Sequence, residues 1–344
     1  MNPVIEQPKA GTEEPEADLF RTVRGYYETK ALLAMWRMGL LQRAGSGEPL
    51  KLAELVADGH DEELLVALLN YLTVRGYLER DDTVYTLTGR GAALVPYFGY
   101  LGTMVGAYEP VMAEIENLVA GRKVFGRDVH RSVPDLANGL TSLEDNLMTR
   151  FPELLRNRPV TKVMDLGCGS GRMLSRIVQS RPGLTGVGVD ANSETCAVAV
   201  ETVAADGLAD RITIEVGDAG HVSQLPAEAR SGVDLVMIMF VLHELLRQRG
   251  RDGVLTCLRD IAGILGTDGT LLAVEVESAG DPTANDNLLF TPEYEFTHVL
   301  THQRLAMQSE WTALAQEAGL RVERIEPLRM CHAFCMVLSP ARPA

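Results

Sequence analysis

The sequence predicts an α/β protein in two parts, a mainly α, winged-helix N-terminal domain followed by a doubly wound parallel sheet. Two observations carry this. Apolar residues recur at helical spacing in Leu64, Leu65, Leu68, Leu69 and Leu72, then switch to period two across Val84, Tyr85, Thr86 and Leu87. From Val160 onward, strand-like apolar runs alternate with helical segments, the pattern that lays helices on both faces of a parallel sheet.

Taken in order, residues 1–18 are polar, acidic and rich in Pro, Glu and Gly, and are expected to form a disordered lead-in. Residues 19–157 should form the helical, winged-helix domain: KLAELVADG, then DEELLVALLNYLTVRGYLER, then the hairpin DDTVYTLTGRG, with helices and the loop GRKVFGRDVHRSVP leading on. Residues 158–344 should form the sheet domain. Its strands are VTKVMDL, GLTGVGVDAN, RITIEVGDAG, VDLVMIMFVL and GTLLAVEVES. A sheet wound in this way binds its ligand at the carboxyl ends of the strands.

A winged helix invites a DNA-binding reading, and the charges oppose it. The chain carries 47 acidic against 32 basic residues, a formal charge of −15. Nucleic-acid affinity comes largely from Lys and Arg on phosphates. Asp61, Glu62 and Glu63 stand where a reading helix would present Arg, Lys, Asn or Gln. The winged helix therefore reads as a packing and dimerisation module, with no nucleic-acid partner. Five irregularly spaced cysteines, no basic-then-apolar leader, and apolar runs no longer than VDLVMIMFVL at 233–242 give the expectation of a cytoplasmic protein with reduced thiols and no membrane span.

The strand ends carry the chemistry. In DLGCGSG, Gly167 and Gly169 let the backbone turn sharply and a ligand approach it closely. Asp165 precedes that turn and could hold the turn itself or a ligand ammonium. Asp190 closes the second strand, where a carboxylate accepts from ribose hydroxyls, and Asp218 closes the third, where it can meet the exocyclic amine of an adenine.

The order DLGCGSG, GVGVDAN, VGDAG, LVMIMFVLHEL resembles the class I S-adenosylmethionine-dependent methyltransferases, whose sheet is Rossmann-like. With its winged-helix half, the chain after residue 18 resembles the O-methyltransferase-like family. The resemblance implies a homodimer made by the N-terminal half and S-adenosylmethionine as cofactor. It places Gly167 and Gly169 under the methionine portion, Asp190 on the ribose, Asp218 with Ala219 beside the adenine, and Met239 and Phe240 near the sulfonium.

Methyl transfer from a sulfonium is an in-line displacement, so the protein supplies alignment and an activated nucleophile. His243 and Glu244 stand at the end of the fourth strand; His298 and His302 are four apart, which on a helix puts both on one face. Two histidines and a carboxylate at an open site form the facial arrangement of non-haem metal centres. A 2-oxo acid chelates such a metal, which would acidify its C3–H. His243–Glu244, His298 and Arg127 are similar to the metal-dependent 2-oxo acid C-methyltransferases, which make nonribosomal peptide building blocks. The resemblance implies His243, Glu244 and His298 as ligands of a divalent or trivalent ion, iron or zinc. It implies Arg127 on the substrate carboxylate and leaves His302 as ligand, base or neither.

The pocket candidates Met104, Tyr108, Phe151, Met239, Phe240, Phe290, Phe296 and Met330 are chiefly apolar, which favours an aliphatic 2-oxo acid such as 4-methyl-2-oxopentanoate. Two other readings stay open. One is a metal-free O-methyltransferase with His298 or His302 as base; the other is a winged-helix regulator that senses S-adenosylmethionine.

Overall fold

A computed structural model describes residues 15–154, 158–278, 291–328 and 333–341. The chain divides into two compact units, Met1–Asn146 and Leu147–Ala344.

The first unit opens on the helix Pro15–Arg37. That helix begins inside the expected lead-in, because proline fits a first turn whose N–H groups have no intrahelical partner, and Glu16 and Asp18 oppose the positive helix end. The rest of the lead-in lies outside the described residues. Next come β1 (Leu50–Lys51), the helices Leu52–Ala57 and Glu62–Val74, then β2 (Leu78–Asp81) and β3 (Val84–Leu87). The strands pair antiparallel in the order β1-β3-β2, so helices and wing take the anticipated winged-helix arrangement. Asp61 caps the helix Glu62–Val74 by accepting the Leu64 N–H at 2.9 Å, a structural duty for one of the acids that argued against DNA. Leu65, Leu69, Leu72 and Tyr85 fill the core, whereas Leu64 is 71% exposed, since its position on the helix points away from that face.

The second unit holds a seven-stranded sheet made of β4 (Lys162–Leu166), β5 (Thr185–Asp190), β6 (Ile212–Val216), β7 (Leu235–Met239), β8 (Thr270–Val276), β9 (Leu320–Pro327) and β10 (Ala333–Pro340). Their order is β6-β5-β4-β7-β8-β10-β9. The five anticipated strands run parallel, and β10 enters antiparallel between β8 and β9, an edge pair that sequence reasoning missed. β4, β7, β8 and β10 are almost wholly buried, which explains their continuous apolar runs. Winding reverses between β4 and β7, and a doubly wound sheet opens its ligand crevice at such a reversal. Among the described residues, no helix is long and apolar enough to cross a membrane.

Candidate active site

Three turns at the carboxyl edge of the sheet build the site. The first follows β4. Gly167 and Gly169 take φ of 78° and 54°, a left-handed region that a Cβ disfavours. A Cβ on Gly167 would also lie 2.5 Å from Val241 Cγ2, so this glycine lets the turn after β4 close onto the turn after β7. The N–H groups of Gly167 and Cys168 donate to Val189 O at 2.8 and 3.0 Å. Asp190 accepts the Gly169 N–H at 3.1 Å on one oxygen and the Asn192 N–H at 2.9 Å on the other. The carboxylate expected on a ribose thus also fixes the glycine turn. Asp165 is buried in β4 behind that turn, and with Asp190 it adds to the burial that pushes the Cys168 thiol up.

The second turn follows β6. Asp218 caps the short helical turn Ala219–Gln224 by accepting the Gly220 N–H at 2.8 Å. Its other oxygen meets Arg249 Nη2 at 2.6 Å and His221 Nδ1 at 2.9 Å. Partial burial opposes its ionisation, but the bonds from Arg249, His221 and Gly220 outweigh it and hold the carboxyl at about 2. Arg249 and His221 gave no signal in the sequence.

The third turn follows β7. Met239 ends the strand, and Phe240 takes a φ of 58°, a strained conformation for an aromatic residue of the kind that gathers at functional sites. The helix Leu242–Ile264 starts next, and the wholly buried Glu275 of β8 caps it. Glu275 Oε1 accepts the N–H of Leu242 at 2.8 Å and, more loosely, that of His243 at 3.4 Å. Glu275 Oε2 lies 2.7 Å from His243 Nδ1, with His243 only 3% exposed. A carboxylate oxygen that accepts from Nδ1 selects the tautomer with the imidazole lone pair on Nε2. Sequence reasoning missed Glu275. The signal was an acid inside the apolar run LLAVEV, since a buried charge requires a partner.

His298 meets this pair. It lies on the helix Thr291–Leu300, its ring centroid 5.5 Å from that of His243 and 4.2 Å from that of Tyr294. Its Nδ1 donates to Tyr294 O at 2.7 Å. His302 does not share its face, contrary to expectation. The helix stops at Leu300, the N–H of Gln303 returns to His298 O at 2.8 Å, and His302 takes the left-handed position of that cap, φ 55°, exposed to solvent.

The metal triad is not assembled either. Both imidazoles suit a ligand role, because a ligating histidine commonly donates its other N–H to a carboxylate or carbonyl. Glu244, however, follows His243 directly on the helix, where successive side chains point about 100° apart, and its Oε1 accepts from Gln303 Nε2 at 2.8 Å. Among the described residues, no three His, Cys, Asp or Glu side chains are grouped to hold a metal ion. Arg127 lies in the first unit with its side chain 71% exposed, and its guanidinium is engaged by Asp128, with Nη2 at 2.8 Å. Of the pocket candidates, Tyr108 and Phe151 are buried, Phe296 is 46% exposed, and Phe290 and Met330 lie outside the described residues.

Comparison with known proteins gives these turns a context. Residues 163–269, from the second residue of β4 to the residue before β8, match the family model of a methyltransferase domain. The chain is similar to a 2-ketoarginine methyltransferase of Streptomyces arginensis, 29% identical over 312 residues that cover 89% of this chain and 88% of the relative. It is also similar to an indolepyruvate C-methyltransferase of Streptomyces griseus, 22% identical over 271 residues, 76% of each chain. In fold it is similar to the solved structure of the mitomycin 7-O-methyltransferase MmcR, with a TM-score of 0.63 and 22% identity over 95% of this chain and 98% of that one.

Proposed function

We propose that this S-adenosylmethionine-dependent methyltransferase transfers its methyl group to C3 of a 2-oxo acid, with His243 as the base that takes the C3 proton. The observation that carries this reading is the buried His243–Glu275 pair. A carboxylate behind Nδ1 fixes the tautomer, leaves the basic lone pair on Nε2 and stabilises the imidazolium that forms. The C3–H of a 2-oxo acid is acidified by its neighbouring carbonyl, so removing that proton makes C3 a carbon nucleophile for the sulfonium methyl. The substrate class follows the names of the 2-ketoarginine and indolepyruvate relatives, and the apolar character of the candidates read from the sequence favours an aliphatic side chain.

In the cofactor subsite, Gly167 and Gly169 would admit the methionine portion, with Asp165 behind the turn and Met239 and Phe240 beside the sulfonium. Asp190 would take the ribose hydroxyls, and Asp218 with Ala219 the adenine. A bound divalent or trivalent ion would supply Lewis acidity toward the keto oxygen, with His243 and His298 as two of its ligands; His243 Nε2 would then hold the ion instead of taking the C3 proton, since Nδ1 is engaged by Glu275. His302, exposed on its cap, has no part in this reading, and Arg127 would have to leave Asp128 to reach a substrate carboxylate. A second copy would cover Leu19, Phe20, Val23, Tyr26 and Tyr27, which stand exposed along the first helix.

The test is turnover of S-adenosylmethionine with a panel of aliphatic, aromatic and guanidino 2-oxo acids, with the new methyl located by carbon NMR and metal content measured in parallel. A methyl on C3, lost in His243→Gln, is the expected result. A methoxy signal would instead establish O-methylation, which the same His243–Glu275 base could drive from a phenol. Bound metal that disappears in both His243→Gln and His298→Gln would add the ion to the mechanism.

A further inference from the structure

Asp218 is held more elaborately than its stability value explains. Its partners Arg249 and His221 are on the surface, with side chains 32% and 41% exposed, and such ion pairs contribute about 0–1 kcal/mol. Two glycines nevertheless make room for one arginine. A Cβ on Gly220 would lie 2.2 Å from Arg249 Nη1, and one on Gly253 would lie 2.3 Å from Arg249 Cβ. The helix Leu242–Ile264 also breaks at Gly250, beside Arg249, where φ is 66° and ψ −168°. His221 Nδ1 completes the cluster, 2.9 Å from both Asp218 Oδ2 and Arg249 Nη1.

The outcome is a carboxylate with one orientation. Oδ2 is turned to Arg249 and His221, and Oδ1 takes the Gly220 N–H. Each carboxylate oxygen has two acceptor directions, so Oδ1 keeps one.

We propose that Arg249 and His221 are positioning residues that make the cofactor site selective for a 6-amino purine, by locking Asp218 with its remaining Oδ1 acceptor direction toward the exocyclic amine. The proposal rests on the reading that the adenine lies beside Asp218. An amine donates to that oxygen. A 6-keto purine presents an oxygen of its own, and a locked carboxylate cannot rotate away from the repulsion, whereas a loosened one can.

The test is calorimetric binding of S-adenosylhomocysteine and its S-inosyl analogue to the full chain. Wild type should prefer the adenosyl ligand by about 10- to 100-fold, the range for one hydrogen bond to a charged group. Arg249→Met should weaken the adenosyl ligand and cut the preference to within about threefold, while Arg249→Lys keeps part of it. Gly220→Ala should reproduce Arg249→Met, because the new methyl displaces the guanidinium. In the double variant the two effects should not add. Equal weakening of both ligands, with the preference intact in Arg249→Met and Gly220→Ala, would show a merely structural role and overturn the proposal. Wild type that binds both ligands equally would remove the adenine from Asp218 and the proposal with it. Failure to bind S-adenosylhomocysteine at all would overturn the cofactor assignment itself.

Discussion

The His243–Glu275 pair and the Asp218–Arg249–His221 cluster stand at the same edge of one sheet, yet the first is sealed from solvent and the second is half open to it. Burial makes the difference. Glu275 lies in a central strand where water cannot replace a lost bond, so it holds both the helix start and the imidazole in place. Around Asp218 water competes for each bond, and the cluster adds little stability. Its work has to be sought in what it presents to a ligand. The lesson is that a buried acid organises the helix start and its imidazole partner together, whereas an exposed one can only be oriented.

The largest effect should come from breaking the sealed pair. Glu275→Leu removes the acceptor from two helix N–H groups and from His243, and should destabilise the protein by about 3–5 kcal/mol in urea titration. Glu275→Gln keeps an acceptor for the helix but weakens control of the tautomer. It should lower kcat by about 10²–10⁴-fold with little change in KM for the cofactor. If Glu275→Gln left kcat intact, the pair would be only a cap.

Burial can be checked without charge in the first unit. Leu69→Ala, at a wholly buried position, should cost about 2–5 kcal/mol. Leu64→Ala, five residues away on the opposite face and exposed, should stay within about 0.5 kcal/mol. Gly167→Ala comes next. It combines a left-handed backbone, worth about 1–2 kcal/mol, with the Val241 contact, and should raise the cofactor Kd more than it lowers thermal stability.

The smallest effect belongs to the open cluster. The Asp218 carboxyl lies at about 2 in the fold against an ordinary 3.8. A depressed folded-state value contributes stability above the unfolded-state value and loses it as pH falls. The small deficit of Asp218→Asn should therefore be complete above pH 3.8 and vanish as the pH approaches about 2, read by acid unfolding of both proteins. A deficit independent of pH over that window would mean that the carboxylate charge is not what the cluster uses.

Much of this architecture was legible in the residues. The winged helix and the five parallel strands follow from apolar periodicity, and Gly167, Gly169, Asp190 and Asp218 follow from their places at strand ends. The antiparallel edge pair was harder, because β9 and β10 follow the last helix without a glycine-rich turn or a terminal acid to mark them. The pairing of His298 with His302 failed for a local reason, a helix that stops at Leu300 and turns through a left-handed cap. Glu244 is turned to Gln303 in this structure, a contact across 59 positions that no spacing announces.

By itself the sequence determined the local terms: which segments are helix or strand, which glycines bend the chain, and which carboxylates end the strands. Tertiary structure alone decided which charges meet. Glu275 and His243 are 32 positions apart, and Asp218 and Arg249 31, so neither pairing leaves a periodic trace. They are joined because strand pairing sets the register of β8 beside β7 and packing folds the helix Leu242–Ile264 back over the turn after β6. Whether such a pair is sealed or open depends on what lies above it, a property of the packed sheet and not of any segment of the chain.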